Sequence, residues 1–182
     1  MSRDLSWVQW WVCPWKSAHR DWYIQTGFVG TEVLSRSHHQ WVSRLFEIEP
    51  QLPPRPCTAV LQLVLTPPQQ RDLVLLLVKE VCNPSRDNRL NEEQHRWCQR
   101  LTKALAPEPT PQSFDDPLHY LRDWVSPVIW QRLRLSFARH RVIELERSPR
   151  LISPYDRLDT LWQAALWRAT SATSNEIPRL PS

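Results

Sequence analysis

Histidines and cysteines are the residues of this sequence whose spacing comes nearest to a metal site. His38 is followed directly by His39, and His95 stands three residues before Cys98. A structural zinc ion is held by two such pairs, each with its ligands about two to four residues apart. Neither pair has a second one at a useful spacing, so we expect no bound metal. His38 is expected to be a hydrogen-bonded histidine of the core.

Nucleophilic catalysis would rest on Cys13, which lies near Lys16 in the stretch WVCPWK. A nearby cation lowers the pKa of a thiol and favours the reactive thiolate. However, no second cysteine stands three residues away, and no serine is flanked by the glycines of a nucleophile elbow. Of the adjacent carboxylates Asp115 and Asp116, the second is explained more simply as an N-cap. We therefore interpret Cys13 as a half-buried structural thiol, and predict a protein with no enzymatic activity and no cofactor.

Composition narrows the function classes further. The chain has 182 residues, of which 2 are Gly, 17 are Pro and 11 are Trp, and its formal net charge is +4. Two glycines are too few for a glycine-rich phosphate loop or a dinucleotide fingerprint. The longest apolar run, residues 73–78, is far shorter than the roughly 20 residues that span a membrane. Because the start also lacks a secretory pattern, we expect a cytoplasmic protein with reduced cysteines.

The elements that would position these side chains are helices, and prolines indicate where they begin. A Ser, Thr or Asp before proline suits a helix start, because the missing N–H of proline has no acceptor there. Such pairs are Thr66-Pro67, Asp116-Pro117, Ser126-Pro127 and Ser153-Pro154, and residues 91–94 (NEEQ) form a capping box. Residues 68–82 are expected to form the most buried helix, whereas 57–65 fits either a helix or a buried strand.

The predicted fold class is therefore all-α, a single compact helical domain with proline-punctuated short helices. We expect this domain to cover residues 1–170, with the Trp-rich segment 1–30 packed on it and residues 171–182 as a flexible tail. One predicted helix runs from Thr31 to about Phe46, and its inner face is formed by Leu34, Trp41 and Leu45.

Arginines are concentrated between residues 118 and 150, where seven of them stand against three acidic residues. Three interpretations remain open: a solvated face, a contact with an acidic protein partner, or stacking of arginines and aromatic residues on nucleic-acid bases. From this region we take four candidate interface residues, Arg132, Arg134, Arg139 and Arg141.

The last predicted helix, from after Ser153 to about Ala169, has a tryptophan on its polar side. At about 100° per residue its apolar residues share one stripe, and Trp167 falls opposite that stripe. Either another segment of the chain covers Trp167, or Trp167 is a binding anchor, since Trp and Arg are the favoured hot-spot residues. Trp167 and its neighbour Arg168 therefore complete the candidate interface.

Three stretches of the C-terminal half carry a resemblance to a known family. They are residues 130–137 (WQRLRLSF), 141–146 (RVIELE) and 157–168 (RLDTLWQAALWR). Together they cover about residues 124–169 and resemble the SctK family of bacterial type III secretion systems, also called YscK-like or HrpD-like. The N-terminal stretch 7–15 (WVQWWVCPW) resembles the HrpD-like branch most.

The resemblance implies a non-enzymatic, largely helical adaptor of the sorting platform beneath the injectisome. The implied partners are the cytoplasmic domain of the inner-membrane ring protein and the pod protein, and the implied location is cytoplasmic, at the inner membrane through protein contacts. No individual functional residue is implied by the resemblance. The alternative from another class is an Arg-rich nucleic-acid-binding regulator, which the lack of a recognition-helix motif disfavours.

Overall fold

A computed structural model of the chain describes residues 3–26, 38–85, 89–105, 114–150 and 157–174. These residues form helices and connecting turns with no β-strand among them, so the predicted all-α fold class is confirmed. The α-helices are α1 (Arg3–Val12), α2 (Arg20–Thr26), α3 (His39–Leu45), α4 (Thr58–Leu65), α5 (Pro68–Cys82), α6 (Glu92–Leu105), α7 (Leu118–Trp124), α8 (Pro127–Leu133), α9 (Arg139–Arg147) and α10 (Leu158–Ser174). Two 3₁₀ turns cover Pro14–Ser17 and Arg134–Ser136.

The chain divides into two compact units. The first unit consists of residues 1–64 and 125–149, and the second of residues 65–124 and 150–182. The chain thus leaves the first unit, builds most of the second, and returns to the first at residue 125. The expectation of one domain over residues 1–170 stays a prediction.

Tryptophans form the centre of the first unit. Five of them from the N-terminal stretch are buried, namely Trp7, Trp10, Trp11, Trp15 and Trp22. The indole N–H groups of Trp7 and Trp11 donate hydrogen bonds to the carbonyls of Pro54 and Gln51, at 3.0 and 2.9 Å. These bonds fix the proline-rich connector against α1, because a buried indole N–H needs an acceptor.

Helix α5 is the central element of the second unit, where it packs against α6 and α10. The predicted bounds of 68–82 are confirmed. The predicted stripe of α10 is also buried: Leu158, Leu161, Trp162, Ala165 and Ala169 are each less than 5% exposed. Trp162 stacks on Trp124 of α7, with 5.4 Å between the ring centroids. Helix α10 continues to Ser174, past residue 171, where the flexible tail was expected to start.

Three of the predicted helix starts have the expected capping bonds. At the Asp116-Pro117 start, the Asp116 carboxylate accepts from the Leu118 N–H at 2.8 Å. The Ser126 hydroxyl accepts a hydrogen bond from the Ile129 N–H at 3.5 Å, with Pro127 at the first helical position. In the capping box, the Asn91 side chain accepts from the Gln94 N–H and the Gln94 side chain accepts from the Asn91 N–H, at 2.9 and 2.8 Å.

Three other expectations for helix starts and segments had different outcomes. The N-cap of α5 is Pro67, so the prediction that Thr66 caps this helix, with Pro67 at the first helical position, is wrong. The Ser153 start lies outside the described residues. The ambiguous segment 57–65 is helical.

The expectation for the helix after Thr31 is wrong in its inner face. Residues 31–37 lie outside the described residues, and α3 covers only His39–Leu45. Its buried residues include Val42, while Trp41 is 55% exposed and His38 is also exposed. The buried side of this short helix is therefore rotated by one residue, about 100°, from the stripe assumed in the sequence.

Candidate protein-interaction surfaces

Arg132 lies inside the first unit, where it connects α8 to two other segments. Its Nε donates to the Trp11 carbonyl at 3.1 Å, Nη1 to the Val128 carbonyl at 3.2 Å and Nη2 to the Glu49 carbonyl at 3.1 Å. The guanidinium carbon lies 3.8 Å from the centroid of the Trp11 ring. Burial lowers the pKa of Arg132 to about 10, so the side chain stays charged at neutral pH.

Arg134 is buried in the same unit and joins two acidic residues. Its Nη1 donates to the Glu146 carboxylate at 3.1 Å, and its Nη2 donates to the Glu47 carboxylate at 3.1 Å and to the Phe46 carbonyl at 3.3 Å. The Trp130 indole donates to the same Glu146 carboxylate at 2.8 Å. Glu47 has a positive φ of 55°, which an L-residue adopts at a cost, and Arg134 holds it in place.

The interface prediction is therefore corrected for Arg132 and Arg134, which are 3% and 7% exposed. The physical reason is helix capping. Trp11 lies in the last turn of α1, and Phe46 follows α3. No backbone N–H of the same helix is therefore in place to donate a hydrogen bond to either carbonyl. Glycine usually supplies the turn that satisfies such carbonyls, but the described part of the chain contains no glycine. Arginine donors take that place, and a cation there also suits the negative end of the helix dipole.

The other two candidate arginines of the first unit, Arg139 and Arg141, do not form a shared surface. Arg139 and Arg141 are two residues apart on α9, so they point about 200° apart around the helix. The Arg139 guanidinium lies 5.4 Å from the Trp22 ring. It lines a cleft of about 530 Å³ together with Asp21, His140 and Glu144. Both arginines are half-buried.

Trp167 is exposed, as expected for a binding anchor. It is 64% exposed on α10, and Thr160 and Gln163 near it on the helix are exposed too. The residues that the structure describes therefore leave about two thirds of this side chain uncovered. Arg168, in contrast, donates to the Glu93 carboxylate of α6 at 2.6 Å, so its guanidinium is engaged within the second unit. Of the six candidate residues, four thus lie in the first unit and two in the second.

Two surface features were missed in the sequence. Helix α6 has Arg96, Arg100 and Lys103 on its exposed side, where they line a cleft of about 400 Å³ with Glu93 and Gln99. Their spacing of four and three residues puts them on one helix face. That spacing was the available signal, since residues 92–105 are charged on one side and apolar on the other.

The second missed feature is an apolar strip on the outer side of α1. Leu5, Val8 and Val12 are 48%, 42% and 42% exposed. At about 100° per residue they share one face, roughly opposite the buried Trp7, Trp10 and Trp11. Helix α1 is therefore apolar on both sides, although only one side is covered within the described residues. We call Leu5, Val8 and Val12 the α1 strip.

The candidate metal and nucleophile residues have structural roles. His39 Nε2 donates to the Val12 carbonyl at 2.7 Å, and His95 lies 3.3 Å from the Glu80 carboxylate. Burial raises the pKa values of the Cys82 and Cys98 thiols to about 12, which keeps both protonated at neutral pH. Cys13 is half-buried, as expected. Across the described segments, no group of three His, Cys, Asp or Glu residues could hold a metal ion.

The described part of the chain contains ten α-helices. None of its helices is both long enough and apolar enough to cross a membrane. Known protein families, curated proteins and solved structures offer no match to this chain. The exposed surfaces of the two units are therefore the features from which function is inferred.

Proposed function

We propose that this chain is a non-enzymatic adaptor that joins two protein partners, with one binding surface on each unit. Following the SctK resemblance, the partners are the cytoplasmic domain of an inner-membrane ring protein and the pod protein of a type III secretion sorting platform. The adaptor would then be cytoplasmic and lie next to the inner membrane through these protein contacts.

The exposed indole of Trp167 is the observation that carries this proposal. Of the tryptophans whose exposure is described, seven are buried, and Trp167 at 64% is the most exposed. A Trp side chain buries about 150–250 Å² in full, so covering the exposed 64% of Trp167 would bury about 100–160 Å², worth roughly 2.5–4 kcal/mol at 25 cal/mol per Å². Leaving that area in water favours a protein that covers it on binding, and Trp is the residue type most enriched in binding hot spots.

The α1 strip is the second binding surface that we propose for the adaptor. The outer side of a surface helix is normally polar, yet Leu5, Val8 and Val12 face outward from the first unit. A partner that covers the strip would complete the burial of α1. Because the strip and Trp167 belong to different units, each unit offers a separate contact.

The experiment is reconstitution of the three-protein complex. The chain is mixed with the ring-protein cytoplasmic domain and the pod protein of a candidate secretion system, and complexes are sized by chromatography with light scattering. Two variants, Val8→Gln and Trp167→Ala, change one surface each. We expect each variant to lose a different partner and to retain the other. The proposal fails if wild-type chain joins neither protein, or if both variants still form the full complex.

A further inference from the structure

Helix α6 has three neighbouring cations with no acidic partner among the residues that the structure describes. Arg96, Arg100 and Lys103 share one face, and within the described residues no carboxylate lies at ion-pair distance from any of them. Arg96 and Arg100 use their Nε atoms for carbonyls of their own helix, at 3.3 and 3.4 Å. Their terminal guanidinium nitrogens therefore remain available to an acceptor from outside.

The nearest acidic side chain on this face is already engaged by another helix. Glu93 pairs with Arg168 of α10 at 2.6 Å, and Arg168 is mostly covered, with its side chain 20% exposed. Glu93 also lines the cleft with the cations, but Arg168 balances its negative charge. With Glu93 paired, the described residues of this face have three cations against the one carboxylate of Glu92, a net charge of +2 (three minus one).

Helices α6 and α10 run antiparallel, so their outer sides form one surface. Arg168 contacts Glu93 near the start of α6, and Arg157 donates to the Ala104 and Leu105 carbonyls at its end, at 3.3 and 2.6 Å. Both arginines point from the same side of α10 towards α6. Trp167 precedes Arg168 and so points about 100° away, towards solvent. We call Arg96, Arg100, Lys103 and Trp167 the α6–α10 surface.

We propose that the α6–α10 surface binds an acidic helical segment of a protein partner, with an apolar residue of that segment against Trp167. This inference rests on the proposed adaptor function and adds the chemistry of one partner. The three cations span about 10 Å along α6, at a rise of 1.5 Å per residue. Carboxylates at positions i, i+4 and i+7 of a partner helix repeat the same spacing. Arginine also pairs with a carboxylate through two parallel hydrogen bonds.

A nucleic-acid ligand fits this surface less well. Proteins that bind DNA through its backbone typically make about 6–10 phosphate contacts, whereas α6 offers three unpaired cations.

Binding to a synthetic peptide tests the inference directly. The probe is a fluorescein-labelled helical peptide with glutamates at i, i+4 and i+7 and one leucine beside them. The matched peptide has glutamines instead, and a 20-nucleotide single-stranded DNA is the third ligand. Affinities are measured by fluorescence anisotropy at about 150 mM salt, where exposed charges are partly screened. We expect the acidic peptide to bind at least about tenfold more tightly than either other ligand.

Charge reversal on α6 gives the second arm. The double variant Arg96→Glu/Arg100→Glu should weaken binding of the acidic peptide by about 30-fold, since two exposed attractions become repulsions. Trp167→Ala should weaken it by about tenfold. The matched control Arg55→Glu/Arg147→Glu changes two exposed arginines of the first unit and should leave it unchanged. If the double variant does not fold, as judged by circular dichroism, Arg96→Gln/Arg100→Gln replaces it.

The inference is overturned if the acidic peptide does not bind, if the α6 variants bind it like wild type, or if DNA binds at least as tightly. Its failure can be told apart from failure of the proposed function. If the peptide binds as expected but the chain forms no complex with the ring or pod protein, the proposed partners are wrong and the inference about the α6–α10 surface stands. If the three-protein complex forms and the α6 variants do not affect it, the adaptor function stands and the inference about an acidic helix is wrong.

Discussion

Replacing Arg132 by methionine tests whether this buried arginine holds the first unit together. Methionine is similar in length and apolar, so it fills much of the space without donating hydrogen bonds. The substitution removes three hydrogen bonds from a charged donor, to the carbonyls of Trp11, Val128 and Glu49. It also removes the guanidinium that lies 3.8 Å from the Trp11 ring centroid.

The expected loss of stability comes from the carbonyl groups that no longer have a hydrogen-bond donor. The Trp11 and Glu49 carbonyls lie outside helical hydrogen-bond ladders and would lose a charged donor, at about 1–3 kcal/mol each. The relief of not burying a charge offsets part of this cost. We therefore expect a loss of about 3 kcal/mol in the free energy of unfolding. For a chain of 182 residues this corresponds to a fall of about 6–12 °C in melting temperature.

Thermal unfolding followed by circular dichroism measures this fall. Arg147→Met is the matched control, because Arg147 is exposed on α9 and its replacement should change stability by no more than about 0.5 kcal/mol. Arg132→Lys should lie between the two, since one ammonium cannot reach three carbonyls with the geometry of a guanidinium. If Arg132→Met melts at the same temperature as the control, the capping role of Arg132 is refuted.

Three further outcomes are expected. Glu146→Gln keeps the side-chain shape but removes the charge opposite the buried Arg134, and should lower the free energy of unfolding by about 1–2 kcal/mol in urea titrations. Asn91→Ala removes one half of the capping box and should cost about 1 kcal/mol, whereas an unchanged urea midpoint would show that the box contributes nothing. Burial lowers the pKa of His119 below its ordinary 6.5, so the unfolded chain takes up the proton first on acidification. Stability should therefore fall as the pH drops below about 6.5, and His119→Gln should show a smaller fall between pH 7.5 and 5.5.

The helices could be predicted where their signals are local. The bounds of α5 followed from an apolar run after a proline, and the capping box of α6 followed from the spacing of Asn91 and Gln94. The inner stripe of α10 followed from its 3.6-residue period, which also placed Trp167 opposite that stripe, although it left open whether another segment covers the ring. In each of these cases a few neighbouring residues determine the outcome.

The roles of Arg132 and Arg134 could not be predicted in the same way. Arg132 donates to a carbonyl 121 residues earlier, and Arg134 to one 88 residues earlier. Contacts at such a distance depend on the tertiary fold, and a charged residue type by itself suggests the surface. The scarcity of glycine in an arginine-rich chain was the available hint, since helix C-termini without glycine caps need other donors.

The most direct test of the adaptor account is to measure partner affinity and melting temperature on the same sample of Trp167→Ala. We predict that the dissociation constant for one partner rises by about 30-fold, as for a hot-spot residue of about 2 kcal/mol, while the melting temperature changes by less than about 2 °C. Trp41→Ala, which removes another exposed tryptophan from the first unit, should leave that affinity unchanged. A fall of many degrees in the melting temperature of Trp167→Ala, or an unchanged affinity for both partners, would contradict the account.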